Sequence, residues 1–241
     1  RGEVEEIAQK KYALVFTLGT TASQMVTEVF ARKQLETPIV FTCVNGPVEF
    51  KIVTSEESPG KNVTGIKELL DFEKELDHLL HFKPDIKTVL LVVNPMEAGI
   101  EKDQREIHSI LKEKKIELIT VEVFQTNEFR AKVSPFMEKA DAMVVLKDNT
   151  VVSGLDVLVK LCNQHQIPLM ASDLDSPDRG AAFGYGVHEI DFGIEGAKKA
   201  LQILNRHEKA GELAVTPVSN FVLKVNREAA LSQGIDPERL Q

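Results

Sequence analysis

The sequence has no tryptophan and only two tyrosines and two cysteines among its 241 residues. Cys43 and Cys162 lack the spacing of metal ligands, so we interpret both as small apolar residues and expect no disulfide. No apolar run approaches the roughly 18 residues of a membrane span. The formal net charge of −8 argues against a nucleic-acid partner, because neutralising phosphates requires a basic face.

Motifs of common catalytic sites are absent as well. The chain contains no G-x-S-x-G elbow, H-E-x-x-H helix, P-loop or G-x-G-x-x-G turn. His78 and His81 have a spacing that could serve a metal, but no third ligand is near in sequence, and we interpret them as solvated helix residues. We therefore expect no catalytic residue, no metal and no cofactor.

What the sequence does contain is an alternation of two hydrophobic patterns. Short apolar runs rich in β-branched residues predict buried strands, at residues 12–18, 38–44, 88–93, 116–123, 142–146 and 167–170. One-sided i, i+3/i+4, i+7 spacing predicts amphipathic helices, at residues 21–33, 68–82, 150–165 and 192–206. This alternation predicts an α/β, doubly wound architecture, in which helices cover both faces of parallel sheets.

Five of the predicted strands end in small, polar, hydrogen-bonding residues. These are Gly19-Thr20-Thr21, Asn45-Gly46-Pro47, Asn94-Pro95-Met96-Glu97, Lys147-Asp148-Asn149-Thr150 and Ala171-Ser172-Asp173. Ligands of open parallel sheets bind beyond the carboxyl ends of the strands. Asp, Asn and Thr are also good helix N-caps, so capping alone explains any single turn. Five such turns together favour a binding site.

The chemistry of these turns suits a zwitterionic amino acid. Its carboxylate needs N–H and hydroxyl donors, which Thr20, Thr21 and their helix N terminus supply. Its ammonium group needs an acidic acceptor, for which Asp148 and Asp173 are the candidates. The residues thus favour binding over catalysis.

Several motifs, taken in order, resemble one protein family. They are GTTASQ, TPIVFTCVNGPV, PGKNVTGI, LLVVNPMEAG, DAMVVLKDNTVVSGLDVLVK, IPLMASD, DRGAAFGYGVHEIDFG and NREAALSQGID. Over nearly its whole length the chain resembles the substrate-binding proteins of ABC importers, in the subfamily described as tryptophan- or tyrosine-binding. The resemblance implies a type I periplasmic-binding fold, with two lobes, three crossovers and a ligand in the cleft between the lobes. It also implies an extracytoplasmic protein, periplasmic or lipid-anchored, that delivers an amino-acid-like ligand to a membrane permease.

The resemblance further implies which residues bind the ligand. In chain order they are Gly19, Thr20, Thr21, Val44, Asn45, Asn94, Glu97, Asp148, Asn149, Thr150 and Asp173. Asp173, which ends an ASD motif, is the expected acceptor for the amino group. The alternatives are an Asx-turn with Ser176 for Asp173, and the N-cap of the following helix for Asp148 and Asn149.

The lobe boundaries follow from the same resemblance. Residues 1–84 and 188–213 are expected to form the first lobe, and residues 85–187 and 214–241 the second, which includes a strand at 219–225. The expected crossovers lie near Pro84, Val187 and Gly211.

The resemblance also bears on the start of the chain. Family members usually begin with a further strand–helix–strand, whereas this chain starts in what resembles the second helix, at residues 4–10. We therefore expect the first lobe to lack that segment here. Because the chain has no Trp, the expected stacking partner of an aromatic ligand is Phe50, Phe183 or a residue of the missing segment.

Two other classes of function stay open at this point. Ligand-sensing and regulatory proteins reuse the same fold, and a helix-turn-helix or a basic face would favour that alternative. An enzyme of the same architecture would require a catalytic constellation, which the sequence does not contain.

Overall fold

The computed structural model describes residues 2–240 and divides into two compact units. The first unit contains the residues up to Leu69 together with His188–Ser219. The second contains Leu70–Val187 together with the residues from Asn220 onward. The chain therefore passes from one unit to the other three times.

Short strands alternate with helices along most of the chain. The strands are β1 (Val15–Leu18), β2 (Ile39–Val44), β3 (Val63–Lys67), β4 (Thr88–Val93), β5 (Glu117–Glu122), β6 (Ala142–Val145), β7 (Leu169–Ala171), β8 (Phe183–Gly186), β9 (Thr216–Pro217) and β10 (Val222–Val225). The α-helices are α1 (Gly2–Ile7), α2 (Thr20–Arg32), α3 (Phe72–Phe82), α4 (Ile100–Glu113), α5 (Phe129–Val133), α6 (Asn149–Ser153), α7 (Leu155–His165), α8 (Glu189–Arg206) and α9 (Arg227–Ser232).

The first unit is built on a parallel sheet in the order β1-β2-β3-β9. Successive side chains of a strand point to opposite faces of its sheet. Ile39 and Phe41 of β2 accordingly join the core that contains α2, whereas Val40 joins the core that contains Ile203 of α8. Helix α1 packs on the α2 side. Helices thus cover both faces of the sheet.

Apolar side chains lie exposed along the β1 edge of this sheet. Phe16 and Leu18 of β1 are 38% and 67% exposed. Helix α8 contacts this strand at Gly196. The contact is close, since a Cβ added at Gly196 would be 2.5 Å from the Phe16 ring. The same helix carries exposed apolar residues of its own, Ile190, Ile194, Leu201 and Leu204. We name these six exposed residues the open-edge surface.

The second unit is built on a six-stranded sheet in the order β10-β8-β7-β6-β4-β5. All neighbours are parallel except β10, which runs antiparallel to β8. The two faces of β4 join different cores: Leu90 and Val92 pack with α5 and α7, and Leu91 and Val93 pack with α3 and α4. The carboxyl ends of β4, β6 and β7 consequently lie side by side at one edge.

Each of the six predicted strands is present, and the predicted helices are present with shifted ends. Helix α3 begins at Phe72 rather than residue 68 because Asp71 caps it, accepting from the N–H of Lys74 at 3.1 Å. The helix predicted at 150–165 is two helices, α6 and α7, separated at Gly154. Phe129 occupies the space beside Gly154, where an added Cβ would be 2.3 Å from its ring.

Two predicted lobe boundaries need correction. The first lobe was expected to extend to residue 84, but α3 belongs to the second unit, because Phe72, Leu76 and Leu79 pack in its core. The first lobe was also expected to end at residue 213, but β9 pairs with β3 and therefore belongs to the first unit. The chain changes unit after Leu69 and Ser219 rather than near Pro84 and Gly211, and after Val187 as expected.

Within residues 2–240, no helix has both the length and the apolar character to cross a membrane.

Candidate functional site

The first group of predicted site residues lies at the start of α2. Gly19 adopts φ 82° and ψ 159°, a conformation that is open to glycine almost alone, and it turns the chain from β1 into the helix. No side chain of the described residues caps this end of α2. Helix N termini carry unsatisfied N–H groups and a partial positive charge. Gly19, Thr20 and Thr21 therefore present an arrangement suited to a carboxylate.

Ser23 fixes this turn, although the sequence pattern gives it no such role. Its hydroxyl donates to the carbonyl of Gly19 at 2.7 Å and lies 2.8 Å from Thr17 Oγ1 of β1. Ser23 is buried, so these hydrogen bonds hold the first turn of α2 against the end of the strand. A serine four residues after the glycine is the only trace of this role in the sequence.

The second loop of the first unit follows β2, and one expectation there needs correction. Val44 was expected to contact the ligand, but its side chain is buried in the core. Its carbonyl accepts from the N–H of Glu68 at 2.8 Å, so the main chain is also engaged. Asn45, which is half-buried, is the member of this loop that remains accessible.

Asp148 organises the corresponding edge of the second unit. Its side chain is 0% exposed and caps α6, with Oδ1 accepting from the N–H of Val151 at 3.0 Å. Its other oxygen, Oδ2, accepts from the N–H of Asn94 at 2.5 Å. One buried carboxylate thus joins the loops that follow β4 and β6. The N-cap alternative for Asp148 is confirmed, and direct contact with a ligand is not supported, because the carboxylate is enclosed by protein.

The pKa of Asp148 reflects this enclosure. Burial raises the pKa above its usual range, while the hydrogen bonds from Asn94 and Val151 act in the opposite direction. Glu97 adds a further upward contribution through its negative charge. The main-chain hydrogen bonds from the two loops therefore offset part of the cost of burying this carboxyl group.

Four other predicted residues form a polar network on this scaffold. Asn94 donates through Nδ2 to Thr150 Oγ1 at 2.9 Å and accepts through Oδ1 from the N–H of Met96 at 3.0 Å. Asn149 donates to Glu97 Oε2 at 3.2 Å. Asn149 is exposed, whereas Glu97 and Thr150 are half-buried. The structure therefore brings together residues that are more than 50 positions apart in the sequence.

Asp173 lies in a tight turn after β7. Its Oδ1 accepts from the N–H groups of Asp175 and Ser176 at 2.8 and 2.7 Å, and its Oδ2 accepts from Ser176 Oγ at 2.7 Å. The Asx-turn alternative is therefore confirmed in geometry. The carboxylate is also half-exposed, so the turn holds it in one orientation without enclosing it.

The expected aromatic partners differ in accessibility. Phe183 was expected as a stacking partner for a ligand, but it is buried and stacks on Phe82 at 4.4 Å between ring centres. Phe50 is half-buried and stays a candidate. His78 is half-buried rather than solvated, with its ring 5.0 Å from that of Tyr185. In the described part of the chain, no cluster of three or more His, Cys, Asp or Glu side chains could hold a metal.

Comparison with known proteins places the chain in a family. The model of the family described as ABC transporter substrate binding protein matches residues 3–240. The chain belongs to this family. Among the relatives of this substrate-binding protein is a tyrosine-binding protein from Clostridioides difficile, which is 26% identical over 95% of the chain. The chain spans 65% of that relative's length.

Solved structures resemble the protein more closely in fold than in sequence. A conserved domain protein from Vibrio cholerae superposes with a TM-score of 0.88 at 26% identity, covering 98% of this chain and 79% of that one. An ABC domain from Streptococcus pneumonia, solved in complex with L-Trp, superposes with a TM-score of 0.87 at 22% identity, covering 98% of this chain and 81% of that one. The predicted type I periplasmic-binding fold is thereby confirmed.

Proposed function

We propose that this substrate-binding protein is the extracytoplasmic ligand-binding component of an ABC importer, and that its ligand is an amino acid, with Trp, Tyr and Phe as the first candidates. Family membership supports the substrate-binding role. The names of two similar proteins, one tyrosine-binding and one solved with L-Trp, support the ligand class. The proposed partner is a membrane permease. The net charge of −8 argues against a nucleic acid as a partner.

The observation that carries this proposal is the N terminus of α2 in the first unit, which follows the carboxyl end of β1 and has no side-chain cap. Gly19, Thr20 and Thr21 would receive the carboxylate of an amino acid through N–H and hydroxyl donors. Asn45 is the remaining contact proposed for the first unit. No group of this set needs to break or form a covalent bond.

The second unit would supply the complementary groups. Asp173 would accept the ammonium group, because its turn holds a charged oxygen that is still accessible. Asn94, Glu97, Asn149 and Thr150 would line the remaining polar surface. We assign Asp148 a positioning role through the N–H of Asn94, in place of the direct contact first expected.

A melting-temperature screen of the protein against the twenty amino acids and small organic acids tests the proposal. A ligand at 100 times its dissociation constant should stabilise the folded state by about 2.7 kcal/mol. We expect the largest shift with Trp, Tyr or Phe. A screen in which no amino acid raises the melting temperature would contradict the ligand class and favour a sensor of another solute.

Asp173→Asn tests the ammonium acceptor without disturbing the turn. An asparagine keeps Oδ1 for the two N–H donors, and its amide can donate to Ser176 Oγ, so only the charge is removed. We expect a loss of affinity of about tenfold or more by calorimetry, as for a charge-assisted hydrogen bond. Asp175→Asn, on the exposed neighbour, is the matched control. Equal affinity in the two variants would remove Asp173 from the site.

A further inference from the structure

Glu75 is a buried acid that the proposed binding residues do not include. It lies in the first turn of α3 and is 2% exposed. Ser172 Oγ donates to Glu75 Oε1 at 3.0 Å. No lysine, arginine or histidine of residues 2–240 forms an ion pair with it. Carboxylates are rarely buried without a cationic partner, because removing the charge from water is unfavourable.

The groups around Glu75 compensate for its charge only in part. Burial is the largest effect and raises the pKa of Glu75 to about 8, although the hydrogen bond from Ser172 acts in the opposite direction. The carboxylates of Asp173 and Asp71 raise the pKa further. His78 is on the same helix, but burial lowers its pKa and so disfavours the charged form. Tyr185 faces the cluster from β8, and its pKa is raised by burial and by these acids. Lys224 of β10 is engaged by Asp178 and by the carbonyl of Leu174.

The position of Glu75 connects it to the proposed ligand site. Its partner Ser172 is buried, directly precedes Asp173, and donates its N–H to the carbonyl of Val145 at 3.0 Å. The hydroxyl of Ser172 is therefore the contact between α3 and the base of the loop that presents Asp173. A polar group in an unfavourable environment, at such a place, is typical of a functional position.

We infer that Glu75 is a positioning residue. Its carboxyl group accepts the hydroxyl hydrogen bond of Ser172 and thereby holds the Asp173 loop in the binding geometry. At alkaline pH the unpaired buried charge favours an opened loop in which water reaches the carboxylate, and this weakens ligand binding. The inference rests on the proposed function, in which Asp173 accepts the ammonium group of the ligand.

The pH dependence of unfolding tests the neutral state without any ligand. The folded-state pKa of about 8 lies above the ordinary value of 4.5, so the folded protein holds an extra proton between these values. Stability therefore falls as pH rises through this window, by up to about tenfold in the folding constant per pH unit. We expect Glu75→Gln to remove this contribution and to be more stable than the wild type at pH 8.

Glu73→Gln is the matched control, because Glu73 lies on the same helix and is exposed. It should leave the pH dependence unchanged. If Glu75→Gln kept the wild-type slope, or were the less stable protein at pH 8, the neutral-acid role would be excluded.

The affinity for a defined probe tests the positioning role. With L-tryptophan, or the amino acid that gives the largest melting shift, we expect wild-type affinity to fall by about tenfold relative to Glu75→Gln between pH 7 and pH 9. Comparing the two proteins at each pH cancels the titration of the ligand itself. Glu75→Ala, which cannot hold Ser172, should bind weakly throughout this range.

The outcomes separate the two proposals. If no amino acid binds, the proposed function fails, while the unfolding measurement still reports on Glu75. Glu75 does not position the site if an amino acid binds and the affinities of the wild type and Glu75→Gln change equally with pH. The same conclusion follows if Glu75→Ala binds like the wild type.

Tyr185 provides an independent optical probe of the same cluster. The chain has no tryptophan and only two tyrosines, so Tyr12→Phe leaves Tyr185 as the sole strong fluorophore. We expect its emission to change with a midpoint near pH 8 when Glu75 is present, and to lack that transition in Glu75→Gln. The same transition in both proteins would assign it to another group and overturn the inference.

Discussion

Both oxygens of Asp148 accept main-chain N–H groups, and these come from two different loops. In Asp148→Asn one of the two oxygens becomes an NH2 group that faces an N–H donor. A buried donor left without an acceptor costs about 1–3 kcal/mol, so we expect a loss of that size in the free energy of unfolding at pH 7. Chemical denaturation measures it, with Asp175→Asn as the exposed control. An unchanged midpoint would mean that the loops are held by other contacts.

At this scale the sequence identifies residue types better than their roles. A polar residue at the end of β6 is evident from the pattern, and two roles for Asp148 were open, helix cap or ligand contact. The deciding contact is the N–H of Asn94, 54 residues away, and no spacing rule reveals it. Val44 was misjudged for a related reason, because a residue at a strand end can still point into the core.

Among the elements, α2 depends most on a single residue at its start. An alanine at Gly19 would touch nothing within 4 Å, so its penalty comes from the backbone conformation alone. Holding a residue with a Cβ at φ 82° and ψ 159° costs about 1–3 kcal/mol. We therefore expect Gly19→Ala to lower the melting temperature and, by shifting the first turn of α2, to weaken ligand binding.

Gly193 in α8 is the matched control for this prediction. An added Cβ there also meets nothing within 4 Å, but the residue is inside a helix. Gly-to-Ala changes at such sites stabilise by up to about 1 kcal/mol. The two substitutions should therefore have opposite signs. A stabilising Gly19→Ala would show that the strained turn is absent in solution.

Two of the strands that the sequence pattern does not reveal share a physical feature. Strands β3 and β8 contain glycine where buried strands usually carry β-branched residues, and this weakens the apolar pattern. The glycines are required by close packing. A Cβ at Gly65 would be 2.3 Å from the carbonyl of Phe41, and one at Gly184 would be 2.2 Å from that of Asp173. Close approach of two backbones is a tertiary property, so local pattern alone does not predict it.

For the whole molecule, the open-edge surface is the feature with the clearest consequence. Helix α1 precedes β1 and packs on the α2 side of the sheet. By the right-handed crossover rule, that placement fits a preceding strand on the free edge of β1. The resemblance implies a further strand–helix–strand before residue 1, and we propose that such a segment covers this surface.

Ile194→Lys with Leu201→Lys tests this proposal in two backgrounds. In the 241-residue chain both side chains are exposed, so lysines should reduce self-association without lowering the melting temperature. In a longer chain that carries such a segment, the same lysines would be buried, and we expect a loss of several degrees in the melting temperature. Light scattering and thermal melts make the two measurements. Equal melting temperatures of variant and parent in the longer protein would show that the surface stays uncovered.

The lobe boundaries show that sequence order alone does not reveal which unit a helix packs against. The amphipathic pattern of α3 is clear, and placing it with the first lobe followed from its position before the expected crossover. Its apolar face, through Phe72 and Leu76, packs in the core of the second unit instead. A pattern shows that a helix must bury one face, but the partner that covers this face is set by the folded chain.

The two cysteines differ in exposure, and this difference allows selective labelling. Cys162 is buried, and burial raises the pKa of its thiol, which makes it unreactive. Cys43 is half-exposed and lies one residue before the loop that contains Asn45. A maleimide dye should therefore attach at one position, beside a proposed ligand contact. In the 241-residue chain, a dye on Cys43 would report on ligand capture at the proposed Asn45 contact without any engineered cysteine.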